Sequence, residues 1–232
     1  MYVADLVKNF NGEKLIEKIT EMNIPHKTAS FKKNELIVEE GKIDSHFYIV
    51  DSGLISFSMT NSDKLPVITR FLNSNTWFGS ANFLLDSPFQ FNVTALRDTK
   101  IRIYNRNDIL YLFQTDSDGF WFLYFDGYNQ VHERNALIEI AHHDPRRRLI
   151  SALLYIANTV GIKTDDGISF PRGITQNHLA LVSQVPRTRA NVELQKLREQ
   201  GIIRLKPKPT VILDILKLRE QLEIHRTPRT ND

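Results

Sequence analysis

The segment from Phe31 to Tyr104 constrains the fold most, because short apolar runs alternate there with turn residues. The runs are rich in Val, Ile, Phe, Tyr and Thr and recur about every ten residues, as in HFYIVDSG, LISFSMTNSD and LPVITRFLN. This spacing is typical of an antiparallel barrel or sandwich. Gly41, Gly53 and Gly79 stand at predicted strand ends, where we expect a positive φ.

A long helix is predicted from Asp116 to about His142, where Asp144-Pro145 breaks it. Five of its residues recur at alternating steps of four and three, which is the spacing of a coiled-coil seam. They are Tyr124, Tyr128, Val131, Asn135 and Ile138. We expect this seam to join two copies of the chain into a homodimer. The alternative is an ordinary amphipathic helix that lies on the β domain.

Two helical patterns with a proline between them occupy ITQNHLALVSQVPRTRANVELQKLREQGII, from Ile174 to Ile203. Thr175 can cap the first helix, and Pro186 suits the first turn of the second. Apolar residues of both helices are predicted to face inward, which leaves a polar outer face on the second helix. This pattern favours a helix-turn-helix, whose second helix reaches base edges in the major groove.

The predicted DNA contacts lie on this motif and on the hairpin that follows it. Arginine at a helix N-terminus is mildly unfavourable, by roughly 0.3–1 kcal/mol, whereas it can bond guanine O6 and N7 at once. Lysines at the tip of the hairpin are expected to contact phosphate. The candidate DNA-binding residues are Thr175, Gln176, Arg187, Thr188, Arg189, Asn191, Gln195, Lys206 and Lys208.

Charge is distributed unevenly along the 232 residues. Residues 1–143 carry 14 Lys and Arg against 18 Asp and Glu, and residues 144–232 carry 16 against 9. A basic carboxyl end indicates a nucleic-acid partner for that part of the chain. The chain has no cysteine, which excludes disulfides and Cys-ligated metal sites. We see no leader and no apolar run of transmembrane length, so we expect a cytoplasmic protein without a membrane partner.

Three motifs, in this order, resemble the Crp/Fnr family of bacterial transcription regulators. They are GKIDSHFYIVDSGLISF, LNSNTWFGSANFLLDSP and the helix-turn-helix stretch. The resemblance implies an α+β fold with an antiparallel β-roll of the cupin-like or jelly-roll type at 1–115, a dimerisation helix at 116–143 and a winged helix-turn-helix at 144–232. It also implies DNA and RNA polymerase as partners and a palindromic operator.

The sequence departs from the family pattern where cyclic-nucleotide-binding members hold their ligand. Ser80 stands in place of the glutamate that follows the family glycine, and residues 89–92 replace the Arg-Ser pair. A cyclic monophosphate is an anion and needs a donor such as arginine. We therefore do not expect cyclic AMP, and any effector is a different small molecule. The candidate ligand residues are Gly79, Ser80, Ala81, Asn82, Gln90 and Asn92.

The second helix of the motif departs as well. Arg187 matches the first base-contacting arginine of the family, whereas Thr188 and Val192 stand where many members have Glu and a second Arg. This indicates a different operator sequence or weaker binding, and Arg189 or Asn191 is the candidate for the missing contact.

Three other clusters of residues each allow two interpretations. His142-His143-Asp144 is read as a helix C-terminus rather than a metal site, since adjacent helical residues chelate poorly. Residues 146–148, three arginines, either contact phosphate or form a solvated helix start. The aromatic residues of segments 77–83 and 89–91 belong to the core or line an apolar pocket. We find no P-loop, no G-x-G-x-x-G and no Ser/His/Asp pattern, so we expect no enzyme and no cofactor.

Two other functions stay open beside a ligand-gated regulator. One is a constitutive regulator without an effector. The other is a small-molecule-binding module whose helix-turn-helix contacts protein instead of DNA. The sequence does not identify the operator, or whether transcription is activated or repressed.

Overall fold

The computed structural model describes residues 12–61, 64–116, 119–141 and 143–223. Contacts divide the chain into two compact units, residues 1–59 with 69–134 and residues 60–68 with 135–232. The long helix spans this division. The domain boundaries expected from the sequence, at 115 and 143, stay a prediction.

The first unit consists mainly of short antiparallel strands. Its elements are α1 (Gly12–Glu21), β1 (His26–Phe31), β2 (Leu36–Val38), β3 (Phe47–Ser52), β4 (Leu54–Thr60), β5 (Pro66–Asn73), β6 (Thr76–Phe78), α2 (Ser80–Leu85), β7 (Asn92–Ala95), β8 (Thr99–Tyr104), α3 (Arg106–Thr115) and α4 (Gly119–Ala141). One four-stranded sheet has the order β1-β8-β3-β6 and the other β2-β7-β4-β5. The predicted antiparallel β domain is confirmed.

Side chains that alternate along these strands form the core of the first unit. Ile49 and Phe47 of β3 pack with Leu15 of α1 and Phe122 of α4 in one cluster. Val50, Phe78 and other apolar side chains form a second cluster. Successive residues of β3 thus belong to different clusters, and both faces of this strand are buried, which is why it appears in the sequence as a continuous apolar run.

Strand ends use glycines in the left-handed region, as the sequence predicted. Gly41, Gly53 and Gly79 have φ values of 86°, 120° and 94°. At Gly53 a Cβ atom would lie 2.2 Å from Oγ1 of Thr99. Any side chain there would clash as well as strain the backbone, so the turn between β3 and β4 requires glycine.

The second unit combines four helices with a small sheet. It contains α5 (Pro145–Thr159), β9 (Ile162–Thr164), β10 (Gly167–Ser169), α6 (Gln176–Ser183), α7 (Arg187–Glu199), β11 (Ile203–Arg204), β12 (Val211–Ile212) and α8 (Ile215–Glu223). The sheet has the order β11-β12-β10-β9. Together with the helix pair α6 and α7, this is the winged helix-turn-helix that the α+β fold class predicted.

Two local features differ from what the sequence indicates. The sequence of residues 161–173 is polar and turn-rich, yet it contains β9 and β10, whose three-residue strands are too short and too exposed to show an alternating pattern. The long helix begins at Gly119 rather than Asp116, because the N–H of Asp116 closes α3 on the carbonyl of Leu112. Among the described residues, none of the helices has the length and apolar character needed to cross a membrane.

Candidate functional site

Helix α6 begins with a reciprocal cap. The Thr175 hydroxyl accepts a hydrogen bond from the His178 N–H at 3.4 Å, and His178 Nδ1 accepts from the Thr175 N–H at 3.2 Å. The imidazole thus takes the place of the Glu or Gln of an ordinary capping box. Thr175 and Gln176 are half-buried. Thr175, predicted as a DNA contact, therefore also fixes the start of the helix.

A tight connection sets α7 against α6. Gln184 ends α6 in the left-handed conformation with φ 53°, and the buried Val185 donates its N–H to the Ala180 carbonyl at 3.1 Å. Pro186 lies directly before α7, whose first residue is Arg187. The sequence predicts Pro186 in the first turn of α7, whereas in the structure it lies one position earlier, at the N-cap. A proline fits there because this position needs no backbone N–H either.

The inner face of α7 is buried and includes a carboxylate. Ala190, Leu194 and Leu197 are at most 2% exposed, as the sequence predicted for this face. Glu193 is also buried. Its Oε2 lies 3.1 Å from Nη1 of Arg146, and its Oε1 accepts from Nζ of Lys196 at 2.9 Å. No sequence pattern signalled this ion pair, because Arg146 belongs to another helix.

The outer face of α7 carries the predicted base-contacting residues. Arg187, Thr188 and Arg189 are exposed at the first turn, and Asn191 and Gln195 are half-buried. Val192 is 54% exposed on the same part of the helix. The first turn of α7 therefore presents two guanidinium groups and a hydroxyl to the solvent.

The segment between β11 and β12 carries the two predicted wing lysines. Lys206 and Lys208 are both exposed. Arg204, at the base of this segment, bonds Asp166 at 2.9 Å and is thereby held within the small sheet. The wing is thus positively charged at its tip.

Within the arginine run at the start of α5, one arginine forms internal hydrogen bonds, and phosphate contact by the run stays a prediction. Arg146 is directed into the unit, where Nη1 contacts Glu193 and Nη2 donates to Oε1 of Gln221 at 2.7 Å. Arg147 and Arg148 are half-buried. Asp144 caps α5 by accepting from the N–H groups of Arg146 and Arg147.

Of the histidine pair, His142 lies outside the described residues. His143 lies beyond the end of α4, at Ala141. In the part of the chain that the structure describes, no group of three metal-ligating side chains occurs.

The segment that resembles the family's phosphate-binding loop is closed by internal hydrogen bonds. Gly79 has a positive φ, and a Cβ there would lie 2.7 Å from the His46 carbonyl oxygen. Ser80 begins α2 and donates from Oγ to Oδ2 of Asp126 at 2.5 Å. Gln130 donates to the same carboxylate oxygen at 2.8 Å. Asp126 is only 7% exposed, so the hydroxyl of Ser80 is bonded to a buried carboxylate of α4.

The other predicted ligand residues also bond within the chain or face the solvent. Asn82 donates to the carbonyls of Ser87 and Pro88, both at 3.1 Å. Asn92 accepts from the Glu40 N–H at 3.0 Å. Gln90 is exposed. The side chain of Ala81 lies outside the described part, and the ligand role of all six residues stays a prediction.

Most of the nearby aromatic rings belong to the core. Phe78 and Phe89 are each 3% exposed, and Phe78 stacks on Tyr48 with ring centroids 4.5 Å apart. Phe91 packs at the edge of the same cluster, and Trp77 packs on the cluster around Phe47. The side chain of Phe83 lies outside the described part. These contacts favour core packing over an apolar pocket.

Glu133 of α4 forms an ion pair with an arginine of β5. Glu133 lies 2.8 Å from Nε of Arg70, although the angle is not that of a hydrogen bond. Burial raises the pKa of the Glu133 carboxyl, Arg70 opposes this rise, and the charge of Asp126 adds to it. No sequence pattern distinguished Asp126, Gln130 and Glu133, because helix periodicity does not show which face meets the strands.

The predicted seam of α4 is exposed along its length. Tyr124, Tyr128, Val131 and Ile138 are between 51% and 59% exposed, and Asn135 is exposed between them. Large apolar side chains at steps of four and three on one helix face fit the packing of a second helix.

Comparisons with known proteins identify both halves of the chain. Residues 28–116 match the cyclic nucleotide-binding domain family, and residues 147–221 match the Crp-like helix-turn-helix domain family. The anaerobic regulatory protein of Bacillus subtilis (strain 168) is 23% identical over 184 residues, which are 78% of this chain and 77% of that protein.

Solved structures share the fold at lower identity. FixK2 from Bradyrhizobium japonicum superposes with a TM-score of 0.72 at 16% identity, over 85% of this chain and 97% of that one. A transcriptional regulator of the CRP/FNR family from Thermus thermophilus, TTHA1359, superposes with a TM-score of 0.66 at 20% identity, over 85% and 98%. With a cyclic nucleotide-binding domain followed by a Crp-like helix-turn-helix domain, the chain belongs to the Crp/Fnr family of transcription regulators.

Proposed function

We propose that this regulator acts as a homodimer that binds a palindromic DNA operator through the first turn of α7. The observation that carries the proposal is the exposure of Arg187, Thr188 and Arg189 above a fully buried inner face. A helix anchored in this way presents its N-terminal side chains rigidly to base edges. Lys206 and Lys208 at the wing supply phosphate contacts, which add affinity without sequence choice.

The homodimer follows from the exposed apolar seam of α4. Two copies that pack through Tyr128, Val131 and their neighbours place two helix-turn-helix motifs on one DNA duplex. Half-sites about one helical turn apart then match the two-fold axis of the dimer. RNA polymerase is the further partner that a transcription regulator needs.

The first experiment is fluorescence anisotropy on DNA from the gene's own promoter region at two salt concentrations. Wild type is compared with Arg187→Ala and with Arg198→Ala, which removes an exposed arginine from the other end of the same helix. We expect Arg187→Ala to weaken selective binding by about 1–3 kcal/mol. Arg198→Ala should change it little.

Each alternative gives a different result in this experiment. A helix-turn-helix that contacts protein predicts no sequence preference and little dependence on salt. A regulator predicts binding that falls steeply as salt rises. If no selective binding appeared in any ligand condition tested, DNA recognition would be rejected.

We further propose that cyclic AMP is not the effector. The buried Asp126 carboxylate beside Ser80 would repel a cyclic phosphate, and its oxygen is already bonded by Ser80 and Gln130. Internal bonds at this segment favour a constitutive regulator, with a different small molecule as the alternative effector. A thermal-shift series with cyclic AMP and a metabolite panel separates the two, since a ligand of the native state raises the melting temperature.

A further inference from the structure

Val192 is an apolar side chain among the polar residues of the outer face of α7. It is 54% exposed, and it follows Thr188 by one helical turn. The inner face is formed instead by Ala190, Leu194 and Leu197. Core packing therefore does not account for the valine, and neither does helix propensity, because a β-branched residue is a weak choice for a solvated helix position.

We propose that Val192 contacts the C5-methyl group of a thymine in each half-site. This proposal rests on the proposed function, since it requires that α7 enter the major groove. Among the base edges in that groove, only thymine presents an apolar group, and apolar side chains recognise it by contact. An exposed valine fits that methyl and offers nothing to the hydrogen-bonding edges of guanine, adenine or cytosine.

The spacing along α7 places the thymine relative to the base that Arg187 contacts. Val192 lies five positions after Arg187, which corresponds to a rise of about 7.5 Å along the helix axis. Stacked base pairs follow one another about every 3.4 Å. The thymine is therefore expected about two base pairs from the position contacted by Arg187.

Neighbouring side chains support an apolar contact at this place. Thr188, one turn earlier, is exposed and carries a methyl group beside its hydroxyl. Oδ1 of Asn191 is buried and has no hydrogen-bond partner among the described residues. The turn that contains Val192 thus turns a polar acceptor inward and an isopropyl group outward.

The test removes the thymine methyl without changing the base pair. A bound sequence is first selected from a random DNA pool with the full-length wild type. Each thymine is then replaced by deoxyuridine in both half-sites, and binding is measured by anisotropy for wild type, Val192→Ala and Leu216→Ala. Leu216 is an exposed apolar residue of α8 and serves as the matched control.

At one thymine, wild type and Leu216→Ala should lose about fourfold in affinity per half-site, the worth of one buried methyl group. With both half-sites replaced, the loss should be about fifteenfold, whereas Val192→Ala should show less than about twofold. Selective binding with no such thymine would reject the role of Val192 and leave the proposed function standing. If Val192→Ala lost as much affinity as wild type on replacement of thymine by deoxyuridine, the role of Val192 would also be rejected and the proposed function would stand. If the wild type enriched no sequence, both proposals would fall.

Discussion

Glu193 shows how one residue holds helix α7 in place. Its carboxylate is buried between Arg146 of α5 and Lys196 of α7. Glu193→Gln would leave the half-buried Arg146 without its charged partner, and we expect the unfolding free energy to fall by about 1–3 kcal/mol. Urea denaturation followed by circular dichroism measures this loss.

The matched control for this change is Glu199→Gln, near the end of the same helix. The Glu199 side chain is 67% exposed, and its nearest cationic group, on Arg198, is 3.8 Å away. Exposed pairs of this kind contribute little. Equal denaturation midpoints for the two variants would show that the buried ion pair does not stabilise the second unit.

Glu133 makes stability depend on pH. Burial raises its pKa above the ordinary value of 4.5, so the folded chain holds this proton more tightly than the unfolded chain. The resulting contribution to stability is fully present below pH 4.5 and is lost as pH rises through the raised pKa. We therefore expect the melting temperature of wild type to fall relative to Glu133→Gln as pH rises from 4.5.

A pH series of thermal unfolding for the two proteins measures this difference. Above the raised pKa the difference should become constant, since Glu133 is then ionised in both states. A melting-temperature difference that stayed the same from below pH 4.5 upward would contradict the assignment.

At this scale, the sequence predicted exposed residues better than buried charged ones. The outward positions of Arg187 and Thr188 follow from helix periodicity alone. Glu193 and Asp126 look like ordinary solvated acids in the sequence, because their partners Arg146 and Ser80 lie 47 and 46 residues away. Only the three-dimensional structure shows that these two acidic side chains are buried and hydrogen-bonded.

Thr175 is the N-cap of helix α6, so a change there acts on the whole element. Thr175→Ala removes the hydroxyl that accepts from the His178 N–H, and we expect a loss of about 0.5–2 kcal/mol. Thr175→Ser keeps an acceptor oxygen and should retain most of that stability. Denaturation of both variants beside wild type provides the comparison.

DNA binding by the same variants separates the cap from a direct contact. If Thr175 acts only through the helix, Thr175→Ser should bind as wild type does. A serine variant that is stable yet binds more weakly would show that the threonine methyl group contacts DNA.

The strands differ in how far the sequence could predict them. Strands of the first unit appear in the sequence as apolar runs between turn residues, and β3 and β4 each begin with four consecutive buried residues. Strands β9 and β10 have three residues each and pair with each other, and β10 also pairs with β12, which is distant in sequence. The pairing with β12 is tertiary, and no local pattern shows it.

The whole molecule links its two units through α4, which begins in one and ends in the other. Asp126 and Gln130 contact Ser80, and Glu133 forms an ion pair with Arg70, so one side of this helix meets residues of the β domain. The predicted seam lies at other positions of the helix and is exposed. The same element is therefore able to hold the β domain on one side and a second copy on the other.

A charged substitution in the seam tests whether this surface forms the dimer interface. Val131→Glu places a charge at an exposed apolar position of the seam, where two copies would bury it opposite its own symmetry mate. We expect a monomer in sedimentation velocity. Because a monomer binds one half-site without the gain from a linked second site, affinity for the full operator should fall on the order of 10²-fold. Asn129→Glu, an exposed position outside the seam on the same helix, should remain dimeric. A Val131→Glu protein that stays dimeric and binds as wild type would place the dimer interface elsewhere.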